Sequence, residues 1–446
     1  MSLCGRFRRL LATPEGLAFA ALAWVGFVLA LLGLLSGPSQ SLGIAGRLPI
    51  TLTEEERVGR IITLYHGLAI PFLASLVYLI LAWVDLPERT KDLVMPTITA
   101  GFFLTSVGGL AFGYLGRNWL FHGIYLVGLS LTFYAGVVLM TALFPRQGTT
   151  DRLAHWAFWL MALATLISAA IGGAVGAFFG NGFKAMLAED IVRVSHDVFQ
   201  RGIIAHLHIM LTLIDVAILL LVARITPMTP RQSRWVHALT IIGTVIVSVA
   251  TWGVVIRQFE KIAHKVINVG AGFLLPAGIL VAIFGFRNLA REGGILRDPA
   301  RFGLYWFLIF VNFVVTVPGV YVAMNLDTYR LPEYLDVERS ITSGHWHILA
   351  TLSAVMGFLL IAHLRRSHGK AAKIGAWGAI IGSSMAFVFI LPYMFRQPGA
   401  TVTWAEPFFE AGIGIAMLSL AVYLVAEITA LFRGRTIESA EDSKHG

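Results

Sequence analysis

The chain has 446 residues, of which 57% are hydrophobic and only 13% charged, with a formal net charge of +9. These proportions exclude a soluble globular domain and point to a polytopic membrane protein. A single cysteine, Cys4, excludes an internal disulfide and a cysteine-built metal site, and the basic excess sits in short segments between apolar runs, where membrane topology explains it and nucleic acid does not.

The first apolar run, 16–36, follows the basic stretch "MSLCGRFRRL". It is long enough to cross a bilayer and carries no clear small-residue cleavage site, so it reads as an uncleaved first helix. Eleven more runs follow at 60–84, 95–115, 120–144, 153–180, 202–223, 235–256, 263–286, 302–324, 343–364, 373–395 and 406–432. Lipid offers the backbone no hydrogen-bond partners, so each run is expected to be α-helical. The connections are short and no repeat of fixed period is evident. The expected fold is therefore an all-α integral membrane protein: one twelve-helix transmembrane domain over residues 1–432, then a cytoplasmic tail, 433–446. With both termini cytoplasmic, 21 of the 34 Lys and Arg fall on inner segments and 13 on outer ones. That bias agrees with the positive-inside rule, as does an even number of spans.

Topology gives the histidines a depth. Even-numbered spans run from the outer face inward, so residues at their starts lie near that face. His66 on span 2, His206 and His208 on span 6, His264 on span 8, and His345 and His347 on span 10 all fall in this layer. His155, His237, His363 and His368 fall on the cytoplasmic side. Each helical step turns about 100°, so His345 and His347, two apart in "SGHWHILATL", face opposite sides of one helix and can serve two sites but not one. Imidazole is the usual axial ligand of b-type haem, and no CxxCH motif for covalent haem occurs. Two haems flanking span 10 would account for "GHWH", with His66 of "LYHG" supplying a further ligand. A lone intramembrane histidine also serves as a helix-to-helix hydrogen bond or a proton relay.

These residues resemble the catalytic subunit of the haem-copper oxidase superfamily, and within it the branch of the cbb-type oxidases and nitric oxide reductases. That family has twelve helices, a His on helix 2, a metal-binding His on helix 6, a His-His pair on helix 7 and an HxH on helix 10. The resemblance implies that His345 is the proximal ligand of a high-spin haem and that His347 and His66 hold a low-spin haem. "GYLGRNWLF" before span 4 is similar to a family segment that has Glu where this chain has Asn118. "LLPAGILVAIFG" on span 8 and "LPYMFRQPG" after span 11 are further partial matches, the latter putting Arg396 where the family keeps arginines for haem propionates.

The pattern breaks at the second metal. Where the helix 7 pair belongs, this chain reads "VVIRQFEKIAH", with Arg257 and Gln258. Arginine stays cationic and has no lone pair to offer a metal. Donors for a second metal are His206, His208 and His264, with Glu260 and His196 near in sequence. A His-plus-carboxylate set suits non-haem iron better than copper. In the other reading, Arg257 offers a fixed charge to an anion or a propionate. The family's proton-carrying Thr and Lys on helix 8 align with Ala277 and Leu280, neither of which carries protons. Asp215, in mid-span 6, costs about 3 kcal/mol to insert and is a candidate for proton handling. So are Glu406 and Glu410, one turn apart at the start of span 12, although a solvated helix start explains them as well.

The resulting expectation is an oxidoreductase in the cytoplasmic membrane of a prokaryote, with low-spin and high-spin b-type haems and an atypical or absent second metal. It would pass electrons from a quinol, a cytochrome c-type donor or another subunit to a small gas, O2 or NO. The acidic outer segment 325–344 would suit a basic donor. Two alternatives stand beside it. One is a haem b electron-transfer subunit without gas chemistry. The other is a twelve-helix secondary transporter, against which the lack of internal repeats counts.

Overall fold

The computed structural model describes Gly5, Arg8 and residues 10–36, 61–116, 118–149, 151–180, 198–329, 331–365 and 369–432. Among these, regular structure is helical throughout. The first apolar run forms α1 (Pro14–Ser36). Then come α2 (Ile61–Trp83), α3 (Glu88–Tyr114), α4 (Trp119–Leu143), α5 (Arg152–Gly180), α6 (Val198–Ile225), α7 (Pro230–Gly253) and α8 (Glu260–Arg291). α9 spans Pro299–Met324, and α10 (Leu335–Leu364), α11 (Lys370–Met394) and α12 (Glu406–Phe432) complete the series. Eleven of these, all but α1, are long and apolar enough over their described residues to cross a membrane. The protein is thus a multi-pass membrane protein. Residues 433–446, expected as the tail, and His196 and His368 lie outside the described residues.

Helix ends follow local chemistry. α4 starts at Asn118, whose Oδ1 accepts the Phe121 N–H at 3.0 Å, an N-cap of the usual kind. Proline interrupts several helices, at Pro71, Pro96, Pro276 and Pro392. Neighbouring helices and local adjustment make this tolerable within a membrane. In α9 the adjustment is visible: Pro318 has no N–H for the Val314 carbonyl, and a π turn, Asn312–Thr316, stands immediately before it.

The chain divides into two compact units. The first comprises Met1–Phe19, Leu221–Val236 and Leu275–Gly446; the second comprises Ala20–Leu220 and His237–Leu274. In the second unit α3 and α4 meet backbone to backbone. A Cβ on Gly128 would lie 2.3 Å from Thr105 N, and one on Gly101 would lie 2.9 Å from Thr132 N. In the first unit, α11 and α12 meet the same way through Gly382 and Gly412. Small residues let membrane helices approach this closely, since packing rather than hydrophobicity holds helices together in lipid.

α7 is built inside out. Its exposed face carries Ile242, Val245 and Val249, while His237, Thr240, Thr244 and Thr251 are buried. With Ser248 these polar residues recur every three or four positions, a stripe about 21 Å long at 1.5 Å per residue. Elsewhere hydroxyls on the helices bond back one turn, as Thr105 does to Gly101 O at 2.8 Å and Thr132 to Gly128 O at 3.0 Å. Buried Oγ atoms of Thr244, Ser248 and Thr251 have no hydrogen-bond partner among the described residues.

Candidate functional site

In the second unit the imidazoles gather. His66 is half-buried on α2, one residue before Gly67, whose carbonyl accepts the Ser106 hydroxyl of α3 at 2.8 Å. Trp24 Nε1 donates to the same hydroxyl at 2.8 Å, so α1, α2 and α3 are joined beside His66. Across from it, the His206 ring centre lies 6.3 Å from that of His66, the ring planes 25° apart. His206 is fixed from α5: its Nδ1 lies 2.9 Å from the Ser168 carbonyl oxygen. A carbonyl only accepts, so Nδ1 carries the proton and Nε2 carries the lone pair. Gly172 floors the ring, since a Cβ there would lie 2.4 Å from Nδ1 and Cε1. The Ser168 hydroxyl meanwhile accepts Trp252 Nε1 from α7 at 3.1 Å.

Two aromatic groups complete this cluster. Tyr125, buried on α4, stands edge-on to His66 at 6.1 Å and near-parallel to His122 at 6.4 Å. His122 packs against Phe112 at 5.6 Å and Trp119 at 5.8 Å. The sequence reading passed over His122 and Tyr125. The signal was present, because His122 opens an even-numbered span and obeys the depth rule applied to the other histidines.

His208 turns away from His206, as the two-residue spacing demands. It lies within electrostatic reach of His264 on α8, whose Nδ1 is bound to the Glu260 carbonyl at 2.8 Å. The candidate metal donors are therefore split, with His206 beside His66 and His208 toward His264. Among the described residues no three of His, Cys, Asp and Glu come together as metal ligands. Arg257 opens a short 3-10 turn, Arg257–Phe259, between α7 and α8 and is exposed, as is Gln258. Asp215 is half-buried in α6.

In the first unit His345 is half-buried on α10, and His347 is exposed. His345 lies against the backbone of α9: its Cε1 is 2.9 Å from where a Cβ on Gly319 would be, one turn past the π turn. Inside that turn Asn312 is buried and donates Nδ2 to Leu308 O at 2.6 Å. Arg396 reaches back to α10, where Nη1 donates to Ser340 Oγ at 2.8 Å and to Tyr393 O at 3.0 Å, with the guanidinium 4.4 Å over the Tyr393 ring. The expected propionate arginine is thus tied to the helix that carries His345. Glu406 and Glu410 are exposed at the start of α12, and Ala277 is buried in α8 with Leu280 half-buried.

No family model and no curated protein matches this chain.

Proposed function

We propose that this protein is a membrane oxidoreductase carrying two b-type haems, with twelve spans, both termini cytoplasmic, in the inner membrane of a prokaryote. Supporting this is the histidine arrangement: His206 with its Nδ1 proton engaged by Ser168 and His66 alongside it, plus the His345–His347 pair on α10. A metal-ligating histidine almost always gives its other N–H to a carbonyl or carboxylate, which orients the ring and raises its basicity. These residues therefore fit a haem. Bound haem supplies one-electron transfer and an iron able to bind a small gas.

The chain's own residues do the rest. His345 presents an imidazole from α10 against the α9 backbone, where Gly319 leaves room for the ring. His66 would help hold a low-spin haem, and the resemblance implies His347 for the same group. Arg396, already hydrogen-bonded to α10, offers a cation to a propionate. Electrons enter from a quinol or a cytochrome-like donor and leave to O2 or NO. A second metal, non-haem iron or copper, would draw on His208 and His264.

The test is the dithionite-reduced absorption spectrum of the purified protein, with and without carbon monoxide, beside His345→Ala. A CO-shifted band that disappears in the variant is expected. Haem bands indifferent to CO would replace gas chemistry with electron relay, and a colourless protein would discard the haem reading in favour of a transporter.

A further inference from the structure

The basic residues at the end read as cytoplasmic are not spread evenly. Membrane topology demands an excess of Lys and Arg on that side but does not say where they fall. The α2–α3 connection, 85–92, has two basic and three acidic residues, and the α4–α5 connection, 145–152, sets Asp151 beside Arg146 and Arg152. The α6–α7 connection, 224–235, has three arginines and no acidic residue. Topology alone leaves that concentration unexplained.

A second helix end joins it, within the same compact unit. Asn288, near the end of α8, donates Nδ2 to Pro227 O, just past α6, at 2.8 Å. That bond brings the turn bearing Arg287 and Arg291 to the loop that leads, four residues on, to Arg231 and then Arg234. All four side chains are exposed, and among the described residues none has an ion-pair partner. The nearby acids are already engaged: Glu292 holds Arg301 Nη2 at 3.1 Å, and Asp298 Oδ1 caps α9 by accepting the Arg301 N–H at 3.1 Å. Apolar groups are exposed at the same end. Trp235 is 58% exposed beside Arg234. Past α8, Gly293 and Gly294 take φ of 110° and 130°, conformations that glycine adopts readily, and turn the chain. Ile295 and Leu296 then stand 40% and 64% exposed between Arg291 and Arg297. Such side chains are costly in water but suit the boundary between headgroups and acyl chains, where tryptophan is also enriched.

We propose that this corner is a docking site for an anionic phospholipid. Its phosphate lies on the guanidinium groups of Arg231, Arg234, Arg287 and Arg291, and its glycerol and upper acyl chains lie beside Trp235 and Leu296. Arginine meets phosphate oxygens two at a time. Basic clusters of this size next to membrane spans attract anionic headgroups, each charge adding about fivefold in affinity. The site is independent of the haem reading.

Native mass spectrometry of the full-length protein, released from vesicles of equal parts phosphatidylglycerol and phosphatidylcholine, tests it. The parent should retain phosphatidylglycerol in preference to phosphatidylcholine. Arg287→Gln should weaken that preference about fivefold, and Arg231→Gln/Arg234→Gln/Arg287→Gln/Arg291→Gln should abolish it. The control Arg146→Gln/Arg152→Gln, which removes charge of the same sign from the α4–α5 connection, should keep it. Lysine at all four arginine positions preserves the charge and should recover most of the preference, which separates loss of the headgroup site from misfolding. A preference that survives the fourfold glutamine variant, or that falls equally in the control, overturns the proposal. Tighter binding of inorganic phosphate would make this a site for a free anion, and tighter binding of polyglutamate a site for an acidic protein; either removes the lipid.

Discussion

Arg365 and Glu427 form a buried ion pair, and losing one partner should cost far more than losing both. Arg365 caps the C-terminus of α10, and its Nε and Nη2 lie 2.9 and 2.7 Å from Glu427 Oε2 on α12. The side chains are only 5% and 11% exposed. The guanidinium sits 4.5 Å over the Phe19 ring, and its buried Nη1 has no hydrogen-bond partner among the described residues. Removing Glu427 as Glu427→Leu strands a cation that cannot be neutralised, at a cost of about 3–5 kcal/mol. Because α10 ends here, a freed arginine can snorkel toward water, so the lower end, about 3 kcal/mol, is expected. Arg365→Met should also destabilise, by no more than about the same amount. Arg365→Met/Glu427→Leu should fall within about 1 kcal/mol of the parent, since an apolar pair often replaces a buried ion pair without loss. Reversible SDS titration in mixed micelles, followed by circular dichroism, gives all four corners of the cycle. Additivity within about 0.5 kcal/mol would refute the reasoning, because it would mean the two charges do not feel each other.

Gly382→Ala should destabilise by about 1–3 kcal/mol, because its Cβ would lie 2.6 Å from Gly412 O and Ala416 N, backbone atoms that cannot step aside. Gly414→Ala, on the facing helix α12, meets nothing within 4 Å and should be neutral or gain up to about 1 kcal/mol, so the same titration separates packing from helix propensity. Thr244→Val and Thr251→Val each remove a buried hydroxyl that has no partner among the described residues, and should be neutral or stabilising by about 1 kcal/mol. A loss of that size would instead show that water bonds these hydroxyls in the membrane. Between α8 and α9, hydrogen bonds from Arg301 hold the Glu292 carboxyl below the usual glutamate range. A depressed carboxyl contributes stability above its unfolded pKa of about 4.3, and that contribution is lost as pH falls through the lower folded value. Glu292→Gln should therefore lower the neutral plateau slightly and leave stability in acid nearly unchanged, so that the acid limb flattens by the same small amount, as expected for a half-exposed pair. An unchanged acid limb would contradict this.

The spans were legible because apolar length is a property of sequence alone. α2 runs 61–83 against an expected 60–84, and α11 370–394 against 373–395. The π turn in α9 was not, since an extra residue in one turn leaves no mark on hydrophobicity; Pro318 was its only hint. Spacing alone separates His206 from His208, because two residues turn a helix by about 200°. It could not say that His206 faces α5 and α2, because which helices become neighbours depends on small residues such as Gly172 that a hydropathy reading passes over. The seam on α7 was readable from "LTIIGTVIVSVAT" by the same three-and-four rule that marks an apolar face in a soluble helix, applied with the polarity reversed.

The hold on His206 has an unusual genetics. Its acceptor is the carbonyl of residue 168, a group every amino acid possesses, so no substitution at that codon deletes it; changing Ser168 removes only the tie to Trp252. The exposed codon is instead 172. Any residue larger than glycine there would drive a side chain into the imidazole, so random mutagenesis scored by function should admit small residues such as Ala at the buried position 168 and leave position 172 almost closed.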